Sequence, residues 1–248
     1  MDEPKEPPMN SPHRRDFLIV SAILASAAGL GIPFSKLNAA EAIASAAPNL
    51  DNYEPIFFTS SEMKFLASAC DRLIPADEDG PGALACNVPV FLDQQMMTSY
   101  GKGEDWYMQG PHDPKAASTF GYQLPYTLQE LYRRSISAID AHCRHTHQSD
   151  FASLDGDTRD TILTQLEKGE IDFSPYGEAS LPAKTFFGFL LGNTREGYLA
   201  DPIYGGNKGM AAWVMIGFPG ARASFLEWVN QHNIKYPLGP VSLGGERA

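Results

Sequence analysis

Cysteine is scarce: Cys70, Cys86 and Cys143 are the three in 248 residues, and no two stand at metal-ligand spacing. An odd, sparse set excludes a disulfide-stapled scaffold. At most one internal bridge can form, or a thiol can pair with another chain. No Cys-x-x-Cys-His motif is present for haem attachment, and no spacing suits an iron–sulfur cluster. The glycines of "YGGNKGM" follow no predicted strand, which makes them a poor dinucleotide fingerprint. A Gly-x-Ser-x-Gly nucleophile elbow is missing too. Positive charge is the minority, with 19 Lys and Arg against 30 Asp and Glu and a net charge of -11. Nucleic acid needs basic stripes, which such a surface does not offer. Alternating strand patterns and internal repeats are both absent. After the N-terminal region, no apolar run is long enough to span a bilayer.

The N-terminal region is different. "HRRDFLIVSAILASAAGLGIPF" sets Arg14 and Arg15 directly before an uncharged run that starts at Phe17 and Leu18 and reaches about Ile32. Small residues follow in "LNAAEAIASAAPN", where Ala39, Ala42, Ala44 and Ala46 are candidate last residues of a cleaved signal. Arginine pair, Phe-Leu and apolar core together match the bacterial twin-arginine signal. A buried first helix is the plainer alternative, and a retained anchor would span poorly because the run is short and rich in Ala, Ser and Gly. Asp2, Glu3 and Glu6 make the leading segment unusually acidic for a signal. The expected organisation is therefore a signal and processing region over residues 1–46 and a single helical domain over 47–248. Residues 1–46 hold four basic and five acidic side chains, so -10 remains on the domain.

Within that domain the sequence reads as helices joined by Pro- and Gly-rich loops. Thr59 and Glu62 have capping-box spacing, with Met63, Leu66, Cys70 and Leu73 on one face and Pro75 after the end. Asn87 is placed to cap a second helix, with Val88, Phe91, Leu92 and Met96 inward and a stop near Gly101. Thr127 and Glu130 repeat the capping box before Leu128, Leu131, Tyr132, Ser135, Ile136 and Ile139. A fourth helix carries Ile162, Leu163 and Leu166 and ends at Gly169. A fifth, "LPAKTFFGFLLGNTREGYL", is apolar nearly all round and is expected to be central and buried.

Two segments lack either period. Residues 100–127 hold Tyr100, Trp106, Tyr107, Phe120, Tyr122 and Tyr126. Disordered segments are poor in aromatics, and long ordered loops are usually functional. These rings either face a partner, where Trp and Tyr dominate binding energy, or fold back on the domain's own core. Residues 200–221 cluster Gly205, Gly206, Gly209, Gly217 and Gly220, which permit positive φ and close backbone approach.

Two clusters could be read as metal sites. In "DAHCRHTHQSD", His142 and His145 are spaced for one helix face, as are Cys143 and His147, but the two pairs point in different directions. Basic residues near a helix C-terminus complement its dipole, which accounts for them without a metal. Asp71, Asp77, Glu78 and Asp79 lack the EF-hand pattern and read as a solvated loop. A folded-export signal without cofactor motifs points to a cofactor carried by a partner.

The blocks "CDRLIPADEDGPGALACNVPVFLDQQM", "YGKGEDWYMQGP", "GYQLPYTLQELYR" and "FFGFLLGNTREGYLADPIYGGNKGMAAWVMIGFPGA", with the twin-arginine start, resemble the small subunit, subunit 3, of bacterial gluconate 2-dehydrogenase and related sugar dehydrogenases. The similarity runs from Phe58 to Val229, and "ADPIYGGN" and "MIGFPGA" are its most specific parts. The resemblance implies an all-α accessory subunit, itself non-catalytic and without a cofactor or metal. It implies a partner FAD subunit of the glucose-methanol-choline oxidoreductase class and a membrane-attached multihaem cytochrome c subunit. FAD, haem c and, as a further option, an iron–sulfur cluster would belong to those partners. It also implies a periplasmic location, with membrane association through the complex. Trp106, Tyr107, Gly110 and Tyr122, with Tyr204, Gly205, Gly206 and Asn207, are the expected contacts to the FAD subunit. The rival classes are a stand-alone periplasmic enzyme and a binding protein, either with an unrecognised site.

Overall fold

A computed structural model describes residues 50–248, apart from Pro114 and Lys235. Arg14, Arg15, Phe17 and Leu18, and the expected boundary after residue 46, lie outside the described residues. Those described form seven α-helices and several 3-10 turns with no strand, as the missing alternation anticipates. The helices are α1 (Ser60–Leu73), α2 (Val88–Met96), α3 (Ser99–Lys102), α4 (Leu128–His147), α5 (Gly156–Lys168), α6 (Ala183–Leu199) and α7 (Ala211–Ile216).

Both capping boxes form. Thr59 Oγ1 accepts from Glu62 N at 3.3 Å while Glu62 Oε2 accepts from Thr59 N at 2.7 Å. At α4 the same reciprocal pair joins Thr127 and Glu130 at 3.2 and 2.9 Å. Each box satisfies two backbone donors that a helix start otherwise leaves orphaned, worth about 1 kcal/mol. The six apolar-face residues expected of α4 are all buried, and α5 ends at Gly169 with φ 72°.

The second helix departs from expectation. It stops at Met96, and Gly101 falls in the separate helix α3. Thr98 Oγ1 donates to the Gln95 carbonyl at 2.7 Å, turning the chain, and Gly101 then packs on the Met96 backbone where a Cβ has no room. Asn87 stands at the N-cap position in the left-handed region at φ 57°, but its side chain makes no capping hydrogen bond to the helix.

Helix α6 is the hub, packing on α1, α2, α4, α5 and α7. Its inner side, including Phe186, Leu190, Asn193, Thr194 and Tyr198, is buried. It is not buried all round, however: Lys184, Gly188, Arg195 and Leu199 form a stripe open to solvent. The apolar composition misled because several of its apolar residues are glycines, which add no buried surface. Gly197 lets the Phe91 ring of α2 approach so closely that a Cβ would lie 2.6 Å from it. Phe65, Phe151, Tyr132 and Phe186 fill the centre, with ring centroids 4.7 Å apart for the first pair and 5.4 Å for the second.

One buried charge organises the chain's entry. Asp93 on α2 is fully buried and accepts four hydrogen bonds: Tyr53 Oη at 2.6 Å, and the amides of Ile56, Phe57 and Phe58 at 2.7, 3.0 and 2.8 Å. A buried carboxylate is tolerated when its lone pairs are filled in this way. Burial, and then the Asp93 carboxylate, push the Tyr53 hydroxyl far above its ordinary pKa.

Candidate partner interface

The aromatic loop divides its rings between inside and outside. Trp106 folds back and is half-buried, its ring 4.8 Å from Tyr122, 5.8 Å from Phe189 of α6 and 6.0 Å from Tyr100. Tyr122 is anchored by its hydroxyl, which donates to the Tyr126 carbonyl at 2.7 Å. Tyr100 Oη accepts from Asn193 Nδ2 at 2.6 Å, and Asn193 Oδ1 accepts from Tyr132 at 2.7 Å. Burial pushes the Tyr100 and Tyr132 hydroxyls above their ordinary range, so both stay neutral, Tyr132 as donor and Tyr100 as acceptor. Tyr107, by contrast, is 78% exposed, and Phe120 also faces solvent. Gly110 sits in the same loop at φ 75° and is half-buried.

Tyr107 and Phe120 border a cleft of about 520 Å³ floored by Trp106, Tyr122 and Phe189. Its lining includes no carboxylate, imidazole or thiol. The one amide, Gln123, is engaged with the loop itself, donating to Phe120 O at 3.1 Å and accepting from Asp113 N at 3.4 Å. The cleft suits an apolar side chain better than a ligand whose hydroxyls need directional partners.

In the glycine-rich segment the small residues serve the chain's own packing. Gly206 is buried against the Gly197 carbonyl of α6, where a Cβ would collide. Asn207 is 0% exposed at φ 42°. Its side chain donates to Ala200 O at 3.0 Å and accepts from Ala212 N at 2.9 Å, and its own amide donates to Gly197 O at 3.0 Å. Gly205, at φ 89°, lies against Gln94 of α2. Gly206 and Asn207 are buried in this chain's own packing and bring its backbone close to α6. Tyr204 remains exposed, as does its neighbour Ile203.

What that folding presents is α7. Trp213 is buried and its indole donates to Leu199 O at 2.8 Å, fixing α7 to the end of α6. The next residues, Val214, Met215 and Ile216, and then Phe218, are exposed, Val214 and Ile216 each to 55%. Four large exposed apolar side chains within five residues make this a candidate association surface. Composition flags the glycines here, yet the signal that mattered was "WVMIGF", an apolar run too short to have two buried sides.

A second cleft, about 610 Å³, lies between α2 and the end of α6 and is lined by Phe91, Gln95, Arg195, Glu196, Leu199 and Tyr204 among others. Several chemistry-bearing residues elsewhere have structural roles. His142 Nδ1 lies 3.1 Å from Tyr176 Oη, and burial, followed by His147 and His145, lowers its pKa. Cys70, Cys86 and Cys143 are free and buried, and burial raises the Cys70 and Cys143 thiols to about 12 and Cys86 to about 11. Asp77 Oδ1 accepts from the amides of Asp79 and Gly80 at 2.9 and 3.1 Å, shaping its own loop. Among the described residues, no group of three or more His, Cys, Asp or Glu is placed to hold a metal ion.

Asp93 and Asn193 escaped the sequence reading. Asp93 had a legible signal: it sits one turn from Pro89 and Met96, in register with apolar residues. A carboxylate on a helix's inner face implies a set of buried donors.

Residues 60–220 match the family model described as gluconate 2-dehydrogenase subunit 3. No curated protein and no solved structure matches the chain. The matched span runs from the first residue of α1 to Gly220, four residues beyond α7, and covers the aromatic loop and all but the last residue of the glycine-rich segment. This chain belongs to the gluconate 2-dehydrogenase subunit 3 family, which bears the name of one subunit of a dehydrogenase complex.

Proposed function

We propose that this chain is the non-catalytic small subunit of a periplasmic, membrane-bound dehydrogenase that oxidises gluconate or a related sugar, sugar acid or polyol. Its partner is an FAD subunit of the glucose-methanol-choline oxidoreductase class, with a multihaem cytochrome c subunit passing electrons onward. The FAD and haem belong to those partners. The small subunit supports maturation of the flavoprotein, stabilises the complex and supplies the twin-arginine signal for both chains.

Family membership carries this reading. It is supported by the arginine pair before an uncharged run, since the twin-arginine route exports folded proteins. The apolar α7 surface supports it as well, because a subunit needs a face to bind by.

The test is Arg14→Lys with Arg15→Lys in cells that co-express the flavoprotein. Both chains should remain in the cytoplasm, still bound to each other, and periplasmic dehydrogenase activity should fall to background. Normal periplasmic activity in the double variant would refute the export role. A wild-type chain that purifies without any flavoprotein would refute the subunit assignment.

A further inference from the structure

The α7 surface has an acidic border. Gly80 packs directly on the Met215 side chain, with no room for a Cβ between them. Tyr198 ties the two together: its hydroxyl donates to Pro81 O at 2.7 Å and lies 3.6 Å from the Met215 sulfur. The loop that ends at Gly80 carries Asp77, Glu78 and Asp79, all exposed. None of the three forms an ion pair among the described residues. An apolar centre of Val214, Met215, Ile216 and Phe218 is thus edged on one side by three uncompensated carboxylates. Past Gly220 the chain returns along this end of the molecule, where Gly220 pairs with Val241. Two cations are described on that return: Arg222 is already engaged, donating to Gly239 O and stacked 5.1 Å from the centroid of the Tyr236 ring, and Arg247, whose backbone pairs with Val241, forms no ion pair with Asp77, Glu78 or Asp79.

We propose that this face, rather than the aromatic loop, is the principal docking surface for the catalytic subunit, and that it receives an apolar patch bordered by Lys or Arg. The inference rests on the subunit reading above and deepens it by assigning the surface and the chemistry of its mate. Charge selects among the occupants an apolar face could take. A second copy of this chain meeting the face would bring together two domains that each carry -10. Like charges set against each other across an interface are disfavoured. The anionic surface of a membrane repels the same carboxylates. A partner protein with a basic rim satisfies both parts of the surface: it covers the apolar centre and pairs the unpaired acids. The aromatic cleft is a weaker candidate, because its largest ring, Trp106, is already spent on Tyr100, Tyr122 and Phe189.

The experiment uses the full chain co-expressed with the flavoprotein, and measures flavin recovered per small subunit after affinity purification. Val214→Glu with Ile216→Glu puts charge on side chains that contribute little to the fold, so the isolated variant should melt within a few degrees of wild type. Recovered flavin should fall about tenfold or more, as expected when charge is buried at an interface centre. Glu78→Lys with Asp79→Lys spares Asp77, which shapes the loop, and should lower recovery several-fold, with the loss greatest at low salt. Wild-type recovery by both variants would overturn the assignment while leaving the subunit reading intact. A wild-type chain that recovers no flavoprotein would overturn the reading and the assignment with it. A self-dimer of the isolated chain that Val214→Glu with Ile216→Glu converts to monomer, without loss of flavoprotein, would give the face to a second copy and also overturn the proposal.

Discussion

The aromatic loop over residues 100–127 and the glycine-rich segment over residues 200–221 both lack a helical or strand period, and the sequence points to both as places of partner contact. Their structures differ in what they turn outward. The loop turns Trp106 and Tyr122 inward onto Phe189 and leaves Tyr107 and Phe120 exposed at the border of one cleft. The segment buries Gly206 and Asn207 on α6 and lifts Val214, Met215, Ile216 and Phe218 to the surface. Residue type alone does not say which way a side chain faces. A large ring lowers free energy by burial wherever it finds a surface, and the nearest one is usually the chain's own. Glycine and left-handed asparagine mark tight internal approach, and what that approach presents lies a few residues further on.

The largest expected effect is at the buried hinge of the segment. Asn207→Ala strands the Ala212 amide and the Ala200 carbonyl and puts alanine in the left-handed region. It should cost about 3 kcal/mol in urea unfolding of the isolated domain, and weaken flavoprotein recovery because α7 loses its seat. If the segment were instead a loose connector, Asn207→Ala would be close to neutral.

A smaller contrast lies within the loop. Trp106→Ala should lower stability by about 2 kcal/mol, less than a fully buried tryptophan, through lost ring contacts with Tyr100, Tyr122 and Phe189. Tyr107→Ala should change stability by under about 0.5 kcal/mol, as exposed positions do. Neither should alter flavoprotein recovery as strongly as charge placed on α7. A Trp106→Ala variant that folds with wild-type stability yet loses the flavoprotein would return the loop to the centre of the interface.

Much of the helical frame was legible in the sequence, because capping boxes and apolar periodicity are local signals. Thr59–Glu62, Thr127–Glu130 and the Gly169 stop act within a few residues of where they stand. The exit of α2 was missed because it depends on the packing of Gly101 against Met96, which no propensity encodes. The solvent stripe of α6 was missed because periodicity counts Gly188 as apolar although it adds nothing to a core. Of the clustered glycines, Gly206 and Gly220 stand at close backbone approaches while Gly209 and Gly217 face open space, and the sequence does not say whose backbone approaches. For Gly206 that answer depends on Gly197, some ten residues upstream on α6, and is a property of the assembled fold.

The most direct test of the account is amide hydrogen exchange on the small subunit, alone and in the purified complex with the flavoprotein. The account predicts that amides of Ala212–Phe218 and of the loop at Asp77–Gly80 slow by about tenfold or more in the complex, with a smaller change around Tyr107. An intact complex in which α7 exchanges as it does in the free subunit, while protection appears in residues 104–123, would contradict it.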